Sequence, residues 1–172
     1  MGNVEVRRGD ITQIVAEAIV NAANEMLLPG GGVSGAIHRA AGPELAEACK
    51  LLAPCPTGEA RITPAFRLSS AQYIIHAVGP RWQGGRANEA QLLEKAYRSA
   101  LALARTHGLR TVAFPSLSTG IYGYPLEEAA PIALRILLEE ASSFDLLLLV
   151  AFDEKTYLTY SKVLQEMGTA SR

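Results

Sequence analysis

The sequence has few cysteines and no cluster of residues with metal-ligand spacing. Its 172 residues include two cysteines, Cys49 and Cys55. Two thiols do not make a disulfide scaffold in a chain of this length, and no Cys or His spacing fits a zinc site. We therefore expect both cysteines to be small packing residues in a reducing compartment, and we expect no metal site and no cofactor.

Long apolar runs are also lacking. The longest, Leu146 to Phe152, has seven residues, whereas a membrane-spanning helix needs about 20. The first residues of the chain carry no apolar core of the kind that an export signal has. These two absences predict a cytoplasmic protein without a membrane partner.

Neither sign of charge is in excess. Sixteen basic residues against seventeen acidic ones leave a formal net charge of -1. A protein that holds a nucleic-acid backbone by general electrostatics carries a basic excess or a basic stripe. The charge balance therefore argues against nucleic acid as a partner, but it does not exclude a local basic pocket.

Apolar residues alternate between strand-like and helix-like spacing along the chain. With 49% hydrophobic and 19% charged residues, this pattern predicts one α/β domain over residues 1–172, built around a mostly parallel sheet. The predicted strands are Val4–Val6, Ala18–Ala22, Glu59–Phe66, Tyr73–Val78, Thr111–Phe114 and Leu146–Phe152. The predicted helices are Val33–Leu52, Glu89–His107, Leu126–Ala141 and a last one from an Asp153 cap to about Met167. Pro131 implies that the third helix starts near that residue or kinks there.

One strand ends in two asparagines, Asn21 and Asn24, and leads into the glycine run Gly30–Gly32. Glycines let main-chain N–H groups approach a ligand closely, and the helix that follows adds partial positive charge at its first turn. This combination suits a phosphate, and Asn24 adds the neutral donor and acceptor that a sugar hydroxyl requires. The segment predicts a pocket for a nucleotide or a sugar phosphate.

The same segment matches the G-x-G-x-x-G pattern of dinucleotide-binding folds, from Gly30 to Gly35. In those folds the glycines follow the first strand directly, and an acidic residue lies about 20 residues further on. Here residues 25–29 intervene, and the next strand ends in Ala65-Phe66-Arg67 without an acid. The match therefore does not indicate a hydride-transfer site, and a glycine turn that serves only tight packing remains an alternative.

A second glycine-bearing loop, Ser118–Gly123, lies between another predicted strand and helix. Two such loops in one α/β domain favour a diphosphate, held from both sides, over a single phosphate. Tyr122 lies between the glycines of this loop. It can pack on a sugar ring, or it can lie at the rim with its hydroxyl in water.

Two further side chains follow predicted strands. Asp10 can accept a hydrogen bond from an exocyclic amine such as that of adenine, although a cap or a salt bridge is the commoner use of such a carboxylate. Phe152 ends the most apolar strand, where an aromatic is ordinarily core, and stacking on a base is the alternative. All these segments would form one pocket if they converge beyond the carboxyl ends of the strands.

The histidines lack a carboxylate and a nucleophile at motif spacing, and we interpret all three as structural: His38, His76 and His107.

Taken in chain order, six segments resemble the macro domain family, and the resemblance covers nearly the whole chain. They are Gly9–Thr12, Val20–Asn24, Gly30–Val33, Ala36–Gly42, His76–Pro80 and Pro115–Gly123. The resemblance implies a three-layer α/β/α sandwich with a central mixed, mostly parallel sheet. It also implies binding of ADP-ribose, often with hydrolysis of an ADP-ribose ester, amide or phosphate derivative.

The resemblance further implies a role for each candidate residue. Asp10 would bond the adenine amine, Ile11 would line the base and Phe152 would stack on it. Asn24 would orient the distal ribose and Tyr122 would flank it, which makes these two the candidate catalytic residues. The main chain would hold the diphosphate from two sides, at Gly31, Gly32 and Val33 and at Ser118, Thr119, Gly120, Ile121 and Tyr122.

One position departs from the family pattern. Many de-ADP-ribosylating members have an aspartate where this chain has Ser34, and serine is a far poorer base at neutral pH. Other members that resemble this chain in having a small residue there are also active, and in them the substrate's own phosphate activates the water. We therefore expect hydrolysis of mono-ADP-ribosylated acidic side chains or of O-acetyl-ADP-ribose. The alternatives are a non-catalytic module that binds ADP-ribose, free or on mono-ADP-ribosylated proteins, and a phosphatase acting on ADP-ribose 1″-phosphate.

Overall fold

The computed structural model describes residues 2–170, and a six-stranded sheet forms its centre. The strands are β1 (Asn3–Arg8), β2 (Ala18–Ala22), β3 (Ala60–Pro64), β4 (Tyr73–Ala77), β5 (Thr111–Phe114) and β6 (Leu146–Ala151). They lie in the order β1-β6-β5-β2-β4-β3, and all neighbours are parallel except the antiparallel pair β3 and β4. The predicted mixed, mostly parallel sheet is confirmed.

Five helices of the described chain cover the two faces of this sheet. They are α1 (Gly32–Ala41), α2 (Glu44–Leu52), α3 (Glu89–Thr106), α4 (Leu126–Glu140) and α5 (Glu154–Ala170). Apolar side chains of α1 and α2 form one core against one face, and those of α3, α4 and α5 form a second core against the other. These layers confirm the α/β/α sandwich. Within residues 2–170, no helix is long and apolar enough to cross a membrane.

The burial of the strands follows their sequence patterns. In β6 every residue after the first is buried, as an unbroken apolar run predicts for a strand covered on both faces. The edge strand β1 instead alternates between exposed and half-buried residues over most of its length, in step with its polar and apolar residues. The most apolar strands therefore lie inside the sheet.

The structure corrects one predicted helix. The segment predicted as a single helix from Val33 to Leu52 forms two, because the chain turns at Gly42 and Pro43. Gly42 has a φ of 90°, a conformation that a Cβ would make costly, and its N–H donates to the carbonyl of His38. The apolar spacing continues through the turn because α1 and α2 pack in the same core.

The predicted start of α4 at Leu126 is confirmed, and the alternative start near Pro131 is wrong. The helix begins at Leu126, and Pro131 lies inside it rather than at its start. A proline within a helix loses one main-chain hydrogen bond. The packing of this helix outweighs that local preference, since buried side chains flank the proline on both sides: Ala129, Ala130, Ala133 and Leu134.

The predicted cap of the last helix is confirmed. Oδ1 of Asp153 accepts a hydrogen bond from the N–H of Thr156 at 2.8 Å, as an N-cap carboxylate does. The helix continues beyond the predicted end at Met167 and reaches Ala170.

The order of the strands creates a crevice between β2 and β5. The chain leaves β2 toward α1 on one face of the sheet and leaves β5 toward α4 on the other. Ligands of open α/β sheets bind where neighbouring parallel strands send their connections to opposite faces. Both glycine-bearing loops lie at this point of the sheet.

A buried carboxylate holds the loop that leads into α3. Glu89 is 1% exposed, and its two oxygens accept main-chain N–H bonds from Gln83, Gly85 and Ala87 at 2.7, 3.0 and 2.7 Å. Burial by itself raises the pKa of a carboxyl group, but these bonds outweigh it and lower the pKa of Glu89 to about 2. The ionised carboxylate therefore fixes residues 83–87 beside the crevice.

Replacing Glu89 by Gln is expected to destabilise the protein at neutral pH and to change its response to acid. Because the pKa of Glu89 is lower in the folded state, its stabilising contribution is complete above the ordinary value of 4.5 and is lost as the pH falls toward 2. Free energies of unfolding in urea, measured between neutral pH and about pH 3, should show a difference between variant and wild type that narrows with acid.

The matched control is Glu166→Gln, at an exposed position in α5. It should stay within about 0.5 kcal/mol of wild type. A destabilisation by Glu89→Gln that keeps its size throughout the acid range would contradict the role given to the ionised carboxylate.

Candidate functional site

The two glycine-bearing loops enclose a cavity of about 360 Å³ at the crevice between β2 and β5. We call it the central cavity. Its walls come from the end of β2, from the first turn of α1 and from the loop after β5. Gly79 and Arg81, which follow β4, complete one end.

Two further cavities adjoin the central one. An outer cavity of about 570 Å³ extends toward the ends of β1 and β6 and shares four lining residues with the central cavity, Gly32, Val33, Ser116 and Gly120. A side cavity of about 270 Å³ shares three others, Gly79, Arg81 and Tyr122. The central and outer cavities together form one groove that passes between the two glycine-bearing loops.

The groove is lined by all the residues that the sequence predicts to bind the ligand. The central cavity contains Asn24, Gly31, Gly32, Val33, Ser118, Gly120, Ile121 and Tyr122. The outer cavity contains Asp10, Ile11, Thr119 and Phe152, together with the shared Gly32, Val33 and Gly120. These are their positions in the fold, and the individual roles stay predictions.

Main-chain N–H groups on both sides of the groove have no hydrogen-bond acceptor within residues 2–170. On one side they belong to residues 32–34 in the first turn of α1, where the N-cap residue, Gly31, has no side-chain oxygen. On the other side they belong to residues 119–122. Free N–H groups at a helix start carry partial positive charge, so this arrangement suits a diphosphate.

Two tyrosines from the helical layer hold the loop after β5. The hydroxyl of Ser116 lies 2.8 Å from that of Tyr160 and 2.5 Å from that of Thr119, and the N–H of Leu117 donates to the hydroxyl of Tyr97 at 3.3 Å. Both tyrosines are buried, and burial raises the pKa of Tyr160 to about 12. The loop is therefore anchored to α3 and α5 by neutral hydroxyl groups.

The same loop closely approaches the chain after β4, where the hydroxyl of Ser118 lies against Gly79. Ser118 has a φ of 67° and is 7% exposed, and its carbonyl accepts from the N–H of Tyr124 at 2.9 Å. A Cβ built on Gly79 would lie 2.2 Å from Oγ of Ser118. The absence of a side chain at Gly79 thus allows the loop to close on the central cavity.

The side-chain amide of Asn24 forms two hydrogen bonds within its own loop. Oδ1 accepts from the N–H of Leu28 at 2.9 Å, and Nδ2 donates to the carbonyl of Leu28 at 3.0 Å. An amide group has a second lone pair and a second hydrogen, which are left for a ligand in the central cavity. Asn24 therefore fixes the turn before the glycines and still offers one donor and one acceptor.

The residues that line the central cavity include no carboxylate and no imidazole. Ser34, in the first turn of α1, is 8% exposed, and its hydroxyl has no partner within the described residues. Arg81 is the one charged side chain in this lining, and its guanidinium carbon lies 4.6 Å from the ring centroid of Tyr122. Sequence reasoning missed Arg81, although it follows a predicted strand end just as Asp10 does.

Asp10 and Phe152 lie at the outer end of the groove, where the structure shows the contacts of the first and the exposure of the second. Oδ1 of Asp10 accepts from the N–H and the hydroxyl of Thr12 at 2.9 and 2.7 Å, so this carboxylate is a cap. Both bonds use the same oxygen, and Oδ2 has no partner within the described residues. Phe152 is 77% exposed, so the expectation of a core aromatic is wrong and its ring is accessible in the outer cavity.

His76 lies outside the groove, in the layer between β4 and α2. Its Nδ1 is 3.1 Å from Nδ2 of Asn21, and its Nε2 is 3.0 Å from the hydroxyl of Thr63 and 3.8 Å from Sγ of Cys49. Burial, with a smaller effect from the charge on His38, lowers the pKa of His76 to about 3, so the ring is a neutral structural link. Both cysteines are free and buried, and the described residues contain no group of three that could hold a metal ion.

The fold and the groove define the class of protein. The family model of the Macro domain matches residues 20–133, and the chain belongs to the macro domain family. A macro domain-containing protein from Ralstonia nicotianae is 55% identical over 159 residues, which cover 92% of each chain. An O-acetyl-ADP-ribose deacetylase from Salmonella gallinarum is 50% identical over 172 residues, which cover 96% of each chain.

Solved macrodomains have the same architecture. The Oceanobacillus iheyensis macrodomain with ADP matches with a TM-score of 0.91 and 43% identity, over 96% of this chain and 91% of that chain. The Trypanosoma brucei macrodomain in complex with ADP-ribose matches with a TM-score of 0.85 and 44% identity, over 92% of this chain and 68% of that chain.

Gly79→Ala is expected to destabilise the protein by about 1–3 kcal/mol, because overpacking of this size has that cost. The new methyl group would meet Oγ of Ser118 at 2.2 Å, whereas its next contact there, with Cβ of Ser118, is an ordinary 3.5 Å. In a Ser118→Ala background the cost should therefore fall below about 1 kcal/mol. Urea unfolding of the four proteins in this cycle measures the coupling, and equal costs in both backgrounds would contradict the contact.

Proposed function

We propose that this protein binds ADP-ribose in the groove and hydrolyses an acyl ester on its distal ribose, with O-acetyl-ADP-ribose as the reference substrate. The observation that carries the proposal is the continuity of the central and outer cavities, whose shared walls carry unpaired main-chain donors from both glycine-bearing loops. The names of the relatives support it, since one is an O-acetyl-ADP-ribose deacetylase and one solved macrodomain holds ADP-ribose.

The two ends of the groove suit different parts of this ligand. The outer cavity offers an exposed aromatic ring at Phe152, the buried apolar side chain of Ile11 and a carboxylate oxygen of Asp10, which suit adenine. The shared walls suit the diphosphate. The central cavity offers the remaining donor and acceptor of Asn24 and the ring of Tyr122, which suit a ribose with its hydroxyl groups.

Ester hydrolysis at the distal ribose needs few protein groups. The oxygen of a water attacks the acyl carbon, the bond from that carbon to the ribose oxygen breaks, and the ribose oxygen ends with a proton. The acid product releases a second proton to solvent at neutral pH. Because the central lining has no carboxylate or imidazole, catalysis here rests on positioning the ester and the water and on stabilising charge.

Ser34 favours a second candidate function, binding without turnover. A hydroxyl group is a poor general base at neutral pH, so a pocket that holds ADP-ribose here does not by itself imply a fast reaction.

The ester of a mono-ADP-ribosylated acidic side chain would undergo the same chemistry as the acetyl ester. A phosphatase acting on ADP-ribose 1″-phosphate would occupy the same groove, and phosphate release from that compound distinguishes it.

Phe152→Ala is expected to weaken ADP-ribose binding with little change in folding stability. Stacking of a base on an aromatic ring contributes about 1–3 kcal/mol, which corresponds to roughly a tenfold to hundredfold higher Kd. Stability should change little because the ring is 77% exposed. Calorimetric titration with ADP-ribose and with AMP measures both the loss and the discrimination between the two ligands.

Leu51→Ala is the matched control for this titration, since Leu51 is 88% exposed on α2 and lines none of the three cavities. Wild type should bind ADP-ribose clearly better than AMP. Equal affinities for the two would mean that the central cavity contributes nothing, and the proposal would fail.

Wild-type protein is expected to release acetate from O-acetyl-ADP-ribose, and Asn24→Ala is expected to do so more slowly. The amide of Asn24 fixes the turn before the glycines, so its loss disturbs the position of the ribose. Ser34→Asp places a carboxylate in the central lining and should raise kcat, since a positioned general base contributes on the order of 10²-fold or more. Acetate release is followed by enzymatic detection or NMR.

Two outcomes would decide between the candidate functions. Wild-type turnover no faster than that of Asn24→Ala would sink the hydrolase proposal and leave the binding module. A barely active wild type, with a large gain by Ser34→Asp, would likewise favour binding as the natural role, whereas the same gain over a clearly active wild type is the result expected for the hydrolase. The cytoplasmic location and the single-domain organisation stay predictions from the sequence.

A further inference from the structure

The central cavity has one uncommitted charge. Arg81 is the only charged side chain in its lining, and no ion pair with it occurs within residues 2–170. Its guanidinium carbon lies 4.6 Å from the ring centroid of Tyr122, a cation–π contact of an exposed side chain that does not use the N–H donors. The guanidinium group therefore lies beside Tyr122 and is still free to donate hydrogen bonds.

Arg81 lies at the end of the central cavity that is remote from the outer cavity. The outer cavity joins the central one through Gly32, Val33, Ser116 and Gly120, whereas Arg81 belongs to the wall shared with the side cavity. The outer and side cavities have no lining residue in common. A ligand that runs from the outer cavity through the diphosphate walls would thus meet Arg81 last, at its distal ribose.

The side cavity beyond Arg81 is small, and hydrogen bonds fix its acidic side chains. Its volume of about 270 Å³ is below the range of pockets that hold a whole drug-sized ligand, but it is enough for a substituent. Its two acidic side chains are already engaged, Glu89 with three main-chain N–H groups and Glu25 with the N–H and hydroxyl of Thr57 at 3.0 Å each. Arg81 is then the one cationic side chain in the lining of this cavity, beside the neutral side chains of Gln83 and Tyr122.

We propose that Arg81 is a catalytic residue, which donates to the carbonyl oxygen of the acyl group while that group lies in the side cavity. This inference rests on the proposed ester hydrolysis. When water adds to the acyl carbon, the carbonyl π electrons move to its oxygen, and the Arg81 guanidinium stabilises the negative charge that develops there. The electrons return to form the carbonyl as the bond to the ribose oxygen breaks, and Arg81 keeps its proton throughout.

A cationic donor suits this site because the other donors of the lining are hydroxyl, amide and main-chain N–H groups, none of which carries a full charge. The amide of Asn24 is engaged with Leu28 and has one hydrogen left, and the lining has no lysine, histidine or second arginine. A donor aimed at a developing oxyanion contributes to the rate rather than to the binding of the ground state. Loss of the Arg81 guanidinium should therefore lower kcat and leave KM nearly unchanged.

The test compares Arg81→Gln and Arg81→Lys with wild type on O-acetyl-ADP-ribose, together with calorimetric titration of ADP-ribose. We expect Arg81→Gln to lower kcat by on the order of 10²-fold, as loss of one oxyanion donor does, with KM and the Kd of ADP-ribose changed less than about threefold. Arg81→Lys, which keeps the charge, should recover part of the loss. The control is Arg86→Gln, an exposed arginine of the same loop that lines none of the three cavities and should match wild type.

A second variant tests the place of the acyl group. Ala87→Leu narrows the side cavity, so it should lower kcat/KM for O-butyryl-ADP-ribose about tenfold more than for the acetyl ester. An equal effect on both esters would place the acyl group elsewhere and overturn this part of the inference.

Unchanged kcat in Arg81→Gln, or a rise in KM and Kd with kcat intact, would overturn the catalytic role while leaving the proposed hydrolysis standing. No turnover of either ester by wild type would overturn the hydrolysis itself, and the inference with it. The two failures are therefore distinguished by the wild-type rate alone.

Discussion

The groove exists because the chain leaves the neighbouring strands β2 and β5 toward opposite faces of the sheet. Helix α1 then covers one face and α4 the other, so the two loops at the sheet edge diverge instead of packing on each other. The walls of the central cavity follow from this divergence, with the first turn of α1 on one side and the loop after β5 on the other. The ends of β1 and β6, beyond β5 in the sheet, add Asp10 and Phe152 and extend the cavity into a groove.

Main-chain donors rather than charged side chains line the middle of this groove. The N–H groups of both loops and the positive end of α1 provide the attraction for an anion, and the middle walls are built largely from glycine and small residues. A chain with a net charge of -1 can therefore carry a diphosphate site without any basic excess. Main-chain donors also do not titrate, so the site keeps its donors wherever the fold persists. The few polar side chains that remain, Asn24 and Arg81 among them, are then left for the ribose and its substituent.

The parts of the site that depend on consecutive residues could be predicted from the sequence. Glycine runs, a strand-ending asparagine and the Asp153 cap follow from local backbone preferences. The turn at Gly42 and Pro43 was missed because the apolar spacing of α1 continues into α2 and hides the break. Arg81 was missed for a different reason, since its place depends on two loops far apart in the sequence. The N–H of Trp82 donates to the carbonyl of Tyr122 at 2.8 Å, and this contact between loops brings the arginine over the ring.

Two residues that line the groove have buried hydroxyl groups without a hydrogen-bond partner in the described part of the chain. Within the described residues, the buried side-chain atoms without a hydrogen-bond partner are Oγ of Ser34, Oγ of Ser118 and Oδ1 of Asn21. Burying such a group unpaired costs about 1–3 kcal/mol, so proteins rarely keep several without a use for them. Both serines line the central cavity, Ser34 in the first turn of α1 and Ser118 in the loop after β5. A rotation of either hydroxyl toward the cavity would offer a donor to a phosphate oxygen there. On this view Ser34 is a candidate donor to the ligand, and Ser34→Asp would exchange that donor for a base.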